Sequence, residues 1–258
     1  MSLATTVTIL LLHGGGFSGG DPSSVAPLVD DLRAVGYDAI AVDYRKENPT
    51  GNILGEIATV RRKVEAVEGR GPVVLYGVSA GGTLAAALAA RGEVAGAVVA
   101  GAPTNLLTWF GLSPMPTPAF WQRLGMDGNA RREASPIFRL DGDQSPQLLL
   151  YGDIDLVVPV EQGRSYLRAA QGDQPDTTFR LMSVSPHAYW PPYRTIAREW
   201  IQARWPASSG SVTRGSSPLT RSAHHDEALV QTRVLPQLRM KRHREKRSLL
   251  RSHRMTVH

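Results

Sequence analysis

The chain has 258 residues, 42% hydrophobic and 20% charged, which suits one large α/β domain with a sizeable core. It contains no cysteine, which excludes disulfides, thiolate metal sites and a cysteine nucleophile. The formal charge of +6 is uneven: residues 1–206 carry 18 basic and 20 acidic side chains, and residues 207–258 carry 11 and 3. The main domain is therefore near neutral, without the basic face that nucleic-acid binding needs.

Residues 5–12 form the first apolar run. It is short, has no basic residue before it and leads straight into His13-Gly14-Gly15-Gly16. A secretory leader needs a charged start and a longer apolar stretch, so the run is expected to be a buried strand and the protein cytoplasmic. No run approaches the ~18 apolar residues of a membrane span. Further strands are predicted at 39–43, 72–77, 95–100, 147–151 and 178–184. Most are rich in Val, Ile or Leu with little alternation, as in strands covered on both faces. Helices are predicted between them, at 25–35, 52–67, 80–90, 160–170 and 193–204. This alternation implies an α/β fold with a mostly parallel sheet and helices on both faces.

The glycine turn after the first strand frees backbone N–H groups to approach a substrate closely, as acyl transfer requires for its oxyanion. A tight loop is the plainer reading. After the third strand comes Gly77-Val78-Ser79-Ala80-Gly81, which fits G-x-S-x-G between an apolar strand and an Ala-rich helix. Such a strand–turn–helix holds a serine in a strained conformation with its hydroxyl exposed, which makes Ser79 the candidate nucleophile. A serine N-cap on an ordinary helix is the alternative.

Residues 105–134 break the rhythm with Trp109, Phe110, Phe120, Trp121 and several prolines. An insertion of this length reads as a lid or binding loop, or as a surface excursion with its own apolar cluster. After the fifth strand, Asp153 and Asp155 are both candidates for the acid that follows the nucleophile in chain order. The main domain has two histidines, His13 and His187. His13 belongs to the glycine turn, so His187, in a loop at the strands' carboxyl edge, is the candidate general base. Phe17, Trp109, Phe110, Tyr189 and Trp190 are candidates for a substrate pocket or for ordinary core. No metal-ligand spacing occurs in the main domain, and the tail pair His224-His225 lacks companion ligands.

Residues 207–218 read as a Ser/Gly linker, and 219–258 hold five of the seven histidines and most of the excess basic charge. The tail is expected to be disordered, either a solvated appendage or an arm for an anionic partner.

The glycine turn, Val42-Asp43-Tyr44-Arg45 and Gly77-Val78-Ser79-Ala80-Gly81-Gly82 occur in the order seen in hormone-sensitive-lipase-like esterases of the α/β-hydrolase superfamily. The resemblance covers most of residues 5–204. It departs at Lys46-Glu47-Asn48-Pro49, where those relatives carry Leu-Ala-Pro-Glu, and the N-terminal cap of many relatives is expected to be absent. The chain also looks like smaller esterase, acylaminopeptidase-like and arylformamidase-like branches. The resemblance implies an α/β-hydrolase fold, and an oxyanion hole from the N–H groups of Gly15, Gly16 and Ala80. His13 would then be structural and not the base. The superfamily pattern G-x-x-D-x-x-V-P falls on Gly152 to Pro159 and selects Asp155, leaving Asp153 as a turn residue bonding its own backbone. Together these imply a cofactor-free carboxylesterase acting on a small-molecule ester, with Ser79, His187 and Asp155 as its triad. An amide-directed hydrolase and a non-catalytic binder on the same fold are the alternatives.

Overall fold

The computed structural model describes residues 6–48, 51–110, 116–171, 176–187 and 191–207. The chain divides into two units, Met1–Val212 and Thr213–His258, and everything described belongs to the first. The expectations for Tyr189, Trp190 and the tail from 208 onward lie outside the described residues.

Six strands form one sheet: β1 (Thr8–Leu12), β2 (Asp38–Val42), β3 (Val73–Val78), β4 (Gly96–Ala100), β5 (Gln147–Gly152) and β6 (Thr177–Met182). Their order is β2-β1-β3-β4-β5-β6, and every neighbouring pair is parallel. Parallel strands cannot be joined by a hairpin, so helices cross between them. These are α1 (Ala26–Ala34), α2 (Ile53–Glu65), α3 (Ala80–Ala89), α4 (Pro118–Arg123), α5 (Gly128–Ala134) and α6 (Glu161–Ala170), and α7 (Pro191–Arg204) follows the last strand. Strand side chains alternate between two cores. Leu10, Leu12, Val73 and Leu75 pack with α2, α3 and α6, while Ile9, Leu11, Val74 and Tyr76 pack with α1 and α7. Both faces are thus covered, which is why these strands read as continuous apolar runs.

The chain enters at β1, moves outward to β2, then returns to β3 beside β1 and proceeds the other way. The loops leaving β1 and β3 therefore diverge at a switch point, where open parallel sheets place their ligand crevice. The turn holding Ser79 and the glycine turn both lie there.

Sequence and structure differ in two places. The insertion contains α4 and α5, which were not anticipated. Each is two turns or less, too short to show a period, and each is started by a side-chain cap: Thr117 accepts from Phe120 N–H at 3.1 Å, and Asp127 from Ala130 N–H at 2.8 Å. The last strand was expected to reach Val184 but stops at Met182, and Val184 turns to φ 52°. Among the described residues no helix is long and apolar enough to cross a membrane.

Glu56 occupies the buried stripe of α2 with Ile53, Ile57 and Val60, and is 2% exposed. Burial pushes its carboxyl up to about 8, opposed only in part by Arg45, whose Nε lies 3.5 Å away. Its Oε2 has no hydrogen-bond partner among the described residues. An unfolded chain loses this proton near the ordinary 4.5, and the folded one near 8. Stability is therefore full below the lower value, falls as pH rises between the two, and is lost above the upper one. The loss is on the order of a few kcal/mol. Urea unfolding at pH 5 and pH 8.5 should show this fall in the wild type and a much smaller one in Glu56→Gln; equal slopes would exclude Glu56 as the cause.

Candidate active site

Ser79 stands between β3 and α3 at φ 53° and ψ −120°, a conformation rarely held by a residue with a side chain. Its N–H donates to the carbonyl of Ala100 at 2.8 Å, which ties the turn to the end of β4. The flanking glycines answer a packing demand. A Cβ on Gly77 would strike the Gly81 carbonyl, and one on Gly81 would strike the carbonyls of Leu12 and His13. The motif's spacing is thus steric: the turn closes only where both neighbours lack side chains.

Three side chains that are distant in sequence meet here. His187 Nε2 lies 2.9 Å from Ser79 Oγ, and His187 Nδ1 lies 2.7 Å from Asp155 Oδ2. A carboxylate can only accept, so Nδ1–H donates to Asp155 and the lone pair on Nε2 accepts from the serine hydroxyl. The Asp155 side chain is fully buried. Its other oxygen, Oδ1, accepts the N–H groups of Val157 and Val158, both at 2.8 Å. Both carboxylate oxygens are thereby occupied, and the side chain has one orientation.

The glycine turn approaches from β1. Gly15 and Gly16 have φ 133° and 58°, and the Gly15 carbonyl accepts from Ser18 and Gly19 N–H at 3.2 and 2.8 Å. Among the described residues the N–H groups of Gly15, Gly16 and Ala80 donate to no partner. His13 is fully buried, stacks on Tyr44 with centroids 4.4 Å apart, and donates from Nδ1 to the Gly14 carbonyl at 2.6 Å. The Tyr44 hydroxyl donates to the His13 carbonyl at 2.7 Å. These contacts make His13 a strut of the turn.

The candidate pocket aromatics divide. Phe17 and Trp109 are buried and meet edge to face at 6.2 Å, and Trp109 also packs edge to face on Phe120 and Trp121. Trp109 Nε1–H donates to the Val157 carbonyl at 2.9 Å, fastening the insertion to the loop that carries Asp155. Phe110 is 73% exposed. Two contacts escaped sequence reasoning. Gln162 Oε1 accepts the N–H groups of Thr104 and Asn105 at 3.0 and 2.8 Å, fixing the start of the insertion. Asp153 was expected to bond its own turn; instead its Oδ1 accepts the N–H of Ser185 at 3.2 Å, because the loop after β6 returns alongside it. No local pattern announces either contact. Among the described residues no group of three His, Asp or Glu could hold a metal ion.

The family described as Alpha/beta hydrolase matches residues 9–247. No curated protein matches the sequence. Among solved structures, the chain is similar to Thermogutta terrifontis esterase 2 phosphonylated by sarin, at 18% identity and a TM-score of 0.67, over 80% of this chain and 86% of that one. It is similar also to the propionate-bound and butyrate-bound forms of a thermophilic esterase from the same planctomycete. Each of these is 18% identical with a TM-score of 0.64, over 80% of this chain and 86% of that one.

The backbone at Ser79 predicts a stability difference. Glycine adopts φ 53° without a steric penalty, whereas alanine keeps the strain. Ser79→Gly should unfold in urea with about 1 kcal/mol more stability than Ser79→Ala. Equal stabilities would mean that the turn is unstrained.

Proposed function

The chain belongs to the alpha/beta hydrolase family, and on that premise we propose that it cleaves small to medium carboxylic esters with Ser79 as nucleophile. The observation that carries this reading is the unbroken path from Ser79 Oγ through His187 to Asp155 Oδ2, with spacings of 2.9 and 2.7 Å, in a chain whose glycine turn keeps its amides free.

Ser79 Oγ bonds to the ester carbonyl carbon as its proton passes to His187 Nε2. Asp155 holds the imidazole tautomer and stabilises the cation that forms. The N–H groups of Gly15, Gly16 and Ala80 take the oxyanion, a role in which each donor is worth about 3–4 kcal/mol. Collapse of the tetrahedral intermediate expels the alcohol oxygen, which takes the proton from His187. Water then attacks the acyl-enzyme, its proton going to His187, and the carboxylic acid leaves as Ser79 regains its hydrogen. No cofactor enters the cycle. Phe17, Trp109 and Phe110 are our candidates for the substrate wall, with Tyr189 and Trp190 following the base in sequence. The His13-Gly14-Gly15-Gly16 turn favours the hormone-sensitive-lipase-like branch. The Thermogutta terrifontis esterase has been described with propionate and with butyrate bound, which makes short acyl groups the first to try.

The purified protein should hydrolyse p-nitrophenyl butyrate and react with a fluorophosphonate probe. Ser79→Ala should lose both, with kcat down by on the order of 10⁴-fold or more. Asp155→Asn should lose about 10³–10⁴-fold. A Ser79→Ala protein with full activity would overturn the assignment. Turnover of aryl formamides or peptides well above that of esters would move the reading to an amide-directed hydrolase.

A further inference from the structure

The loops after β5 and β6 are paired out of step with their strands. Within the sheet Gly152 stands opposite Met182. Just past β5, the Asp153 N–H still donates to the Met182 carbonyl at 3.1 Å, while its side chain and the Ile154 N–H reach three residues further along the partner loop. Asp153 Oδ1 accepts the Ser185 N–H at 3.2 Å, and Ile154 N–H donates to the Ser185 carbonyl at 3.3 Å. Two residues on, Asp155 meets His187 at 2.7 Å. Ser183 and Val184 have therefore been looped out, which lifts the partner offset by two. A slip of this kind moves every later residue to a new partner. Without it, His187 would pass the level of Asp155.

Val184 is 81% exposed and sits at φ 52°, where a β-branched residue is a genuine outlier. Such a conformation persists only when its surroundings hold it. Ser185 is the point of attachment: it is 7% exposed, and its hydroxyl lies 3.4 Å from that of Tyr193. A Cβ on Gly152 would strike its carbonyl, so the two loops are in close contact there. Among the described residues Asp153 is the acceptor for the Ser185 amide.

We propose that Asp153 is a positioning residue for His187: its carboxylate clamps the Ser185 amide, locks the two-residue slip and sets the imidazole between Asp155 and Ser79. The proposal rests on the hydrolase reading above and adds a specific role for a residue outside the triad. Clamp and catalytic pair sit in matched steps, 153 with 185 and 155 with 187, so the acid and base loops move as one body.

Asp153→Leu removes the acceptor at similar volume, and Asp153→Asn keeps an oxygen in its place. Asp153 is exposed, so both variants should fold, with melting temperatures within a few degrees of wild type. With p-nitrophenyl butyrate, Asp153→Leu should lose about tenfold to a hundredfold in kcat while KM stays within about twofold. The rate of fluorophosphonate labelling should fall in step, and Asp153→Asn should recover most of both. A purely structural role would lower the melting temperature without this split. An Asp153→Leu kcat within about twofold of wild type would overturn the clamp, as would an Asp153→Asn no better than Asp153→Leu. A wild-type protein that neither turns over ester nor takes the probe would overturn the hydrolase reading, and the clamp with it. An active wild type beside an unaffected Asp153→Leu overturns the clamp alone.

Discussion

The fit of α3 against the sheet is the constraint from which the candidate site follows. Every residue of this helix is buried, and none is larger than leucine. Where it leaves β3 it comes so near the end of β1 that a Cβ on Gly81 would meet the carbonyls of Leu12 and His13, and one on Gly82 would press on Ala102 at 2.7 Å. A strand can turn into a helix this close to its neighbours only by bending sharply at one residue. That residue is Ser79. The bend puts its side chain at the crevice and opens the Ala80 amide at a helix N-terminus, where backbone dipoles favour negative charge.

The sheet then brings the remaining parts to the same place. All six strands run in one direction, so the turns after β1, β3, β5 and β6 emerge on one edge. The glycine turn, Ser79, Asp155 and His187 come from those four turns in that order. Ser79 and His187 are 108 positions apart in the chain, yet their contact needs no long excursion once the strands are aligned. The insertion joins the same edge through Trp109, whose indole N–H reaches the Val157 carbonyl next to the acid loop.

How much of this was legible in sequence depended on whether the signal was local. Strands covered on both faces show as apolar runs, and all six were found within a residue or two on the described stretch. The sixth, β6, is an edge strand with Thr177, Arg180 and half-exposed neighbours, and its end was overrun into Val184. Ser79 was legible because the steric demand on its neighbours leaves glycines at fixed spacing. His187 was legible only because the main domain holds two histidines and one was committed elsewhere. Glu56 could have been flagged: it stands three residues from Ile53 and four from Val60, on the buried stripe of α2. Asp153 and Gln162 could not. Each bonds a backbone amide far away in sequence, and an amide carries no residue identity to read.

The distribution of strain gives the site a coherence that no single contact supplies. Among the described residues three non-glycines have positive φ: Phe17 at 58°, Ser79 at 53° and Val184 at 52°. Each costs of order 1–3 kcal/mol. A sequence under no functional demand would place glycine or asparagine there. The three are not scattered. Phe17 closes the glycine turn, Ser79 is the turn residue itself, and Val184 precedes the loop of His187. Each is held by well-packed or hydrogen-bonded surroundings: Phe17 against Trp109, Ser79 through the Ala100 carbonyl, and Val184 through the bonds to Ser185. Among the described residues, positive φ at a non-glycine is confined to the edge of the sheet where the serine, histidine and aspartate meet. The buried cores on the two faces of the sheet stabilise that strained edge.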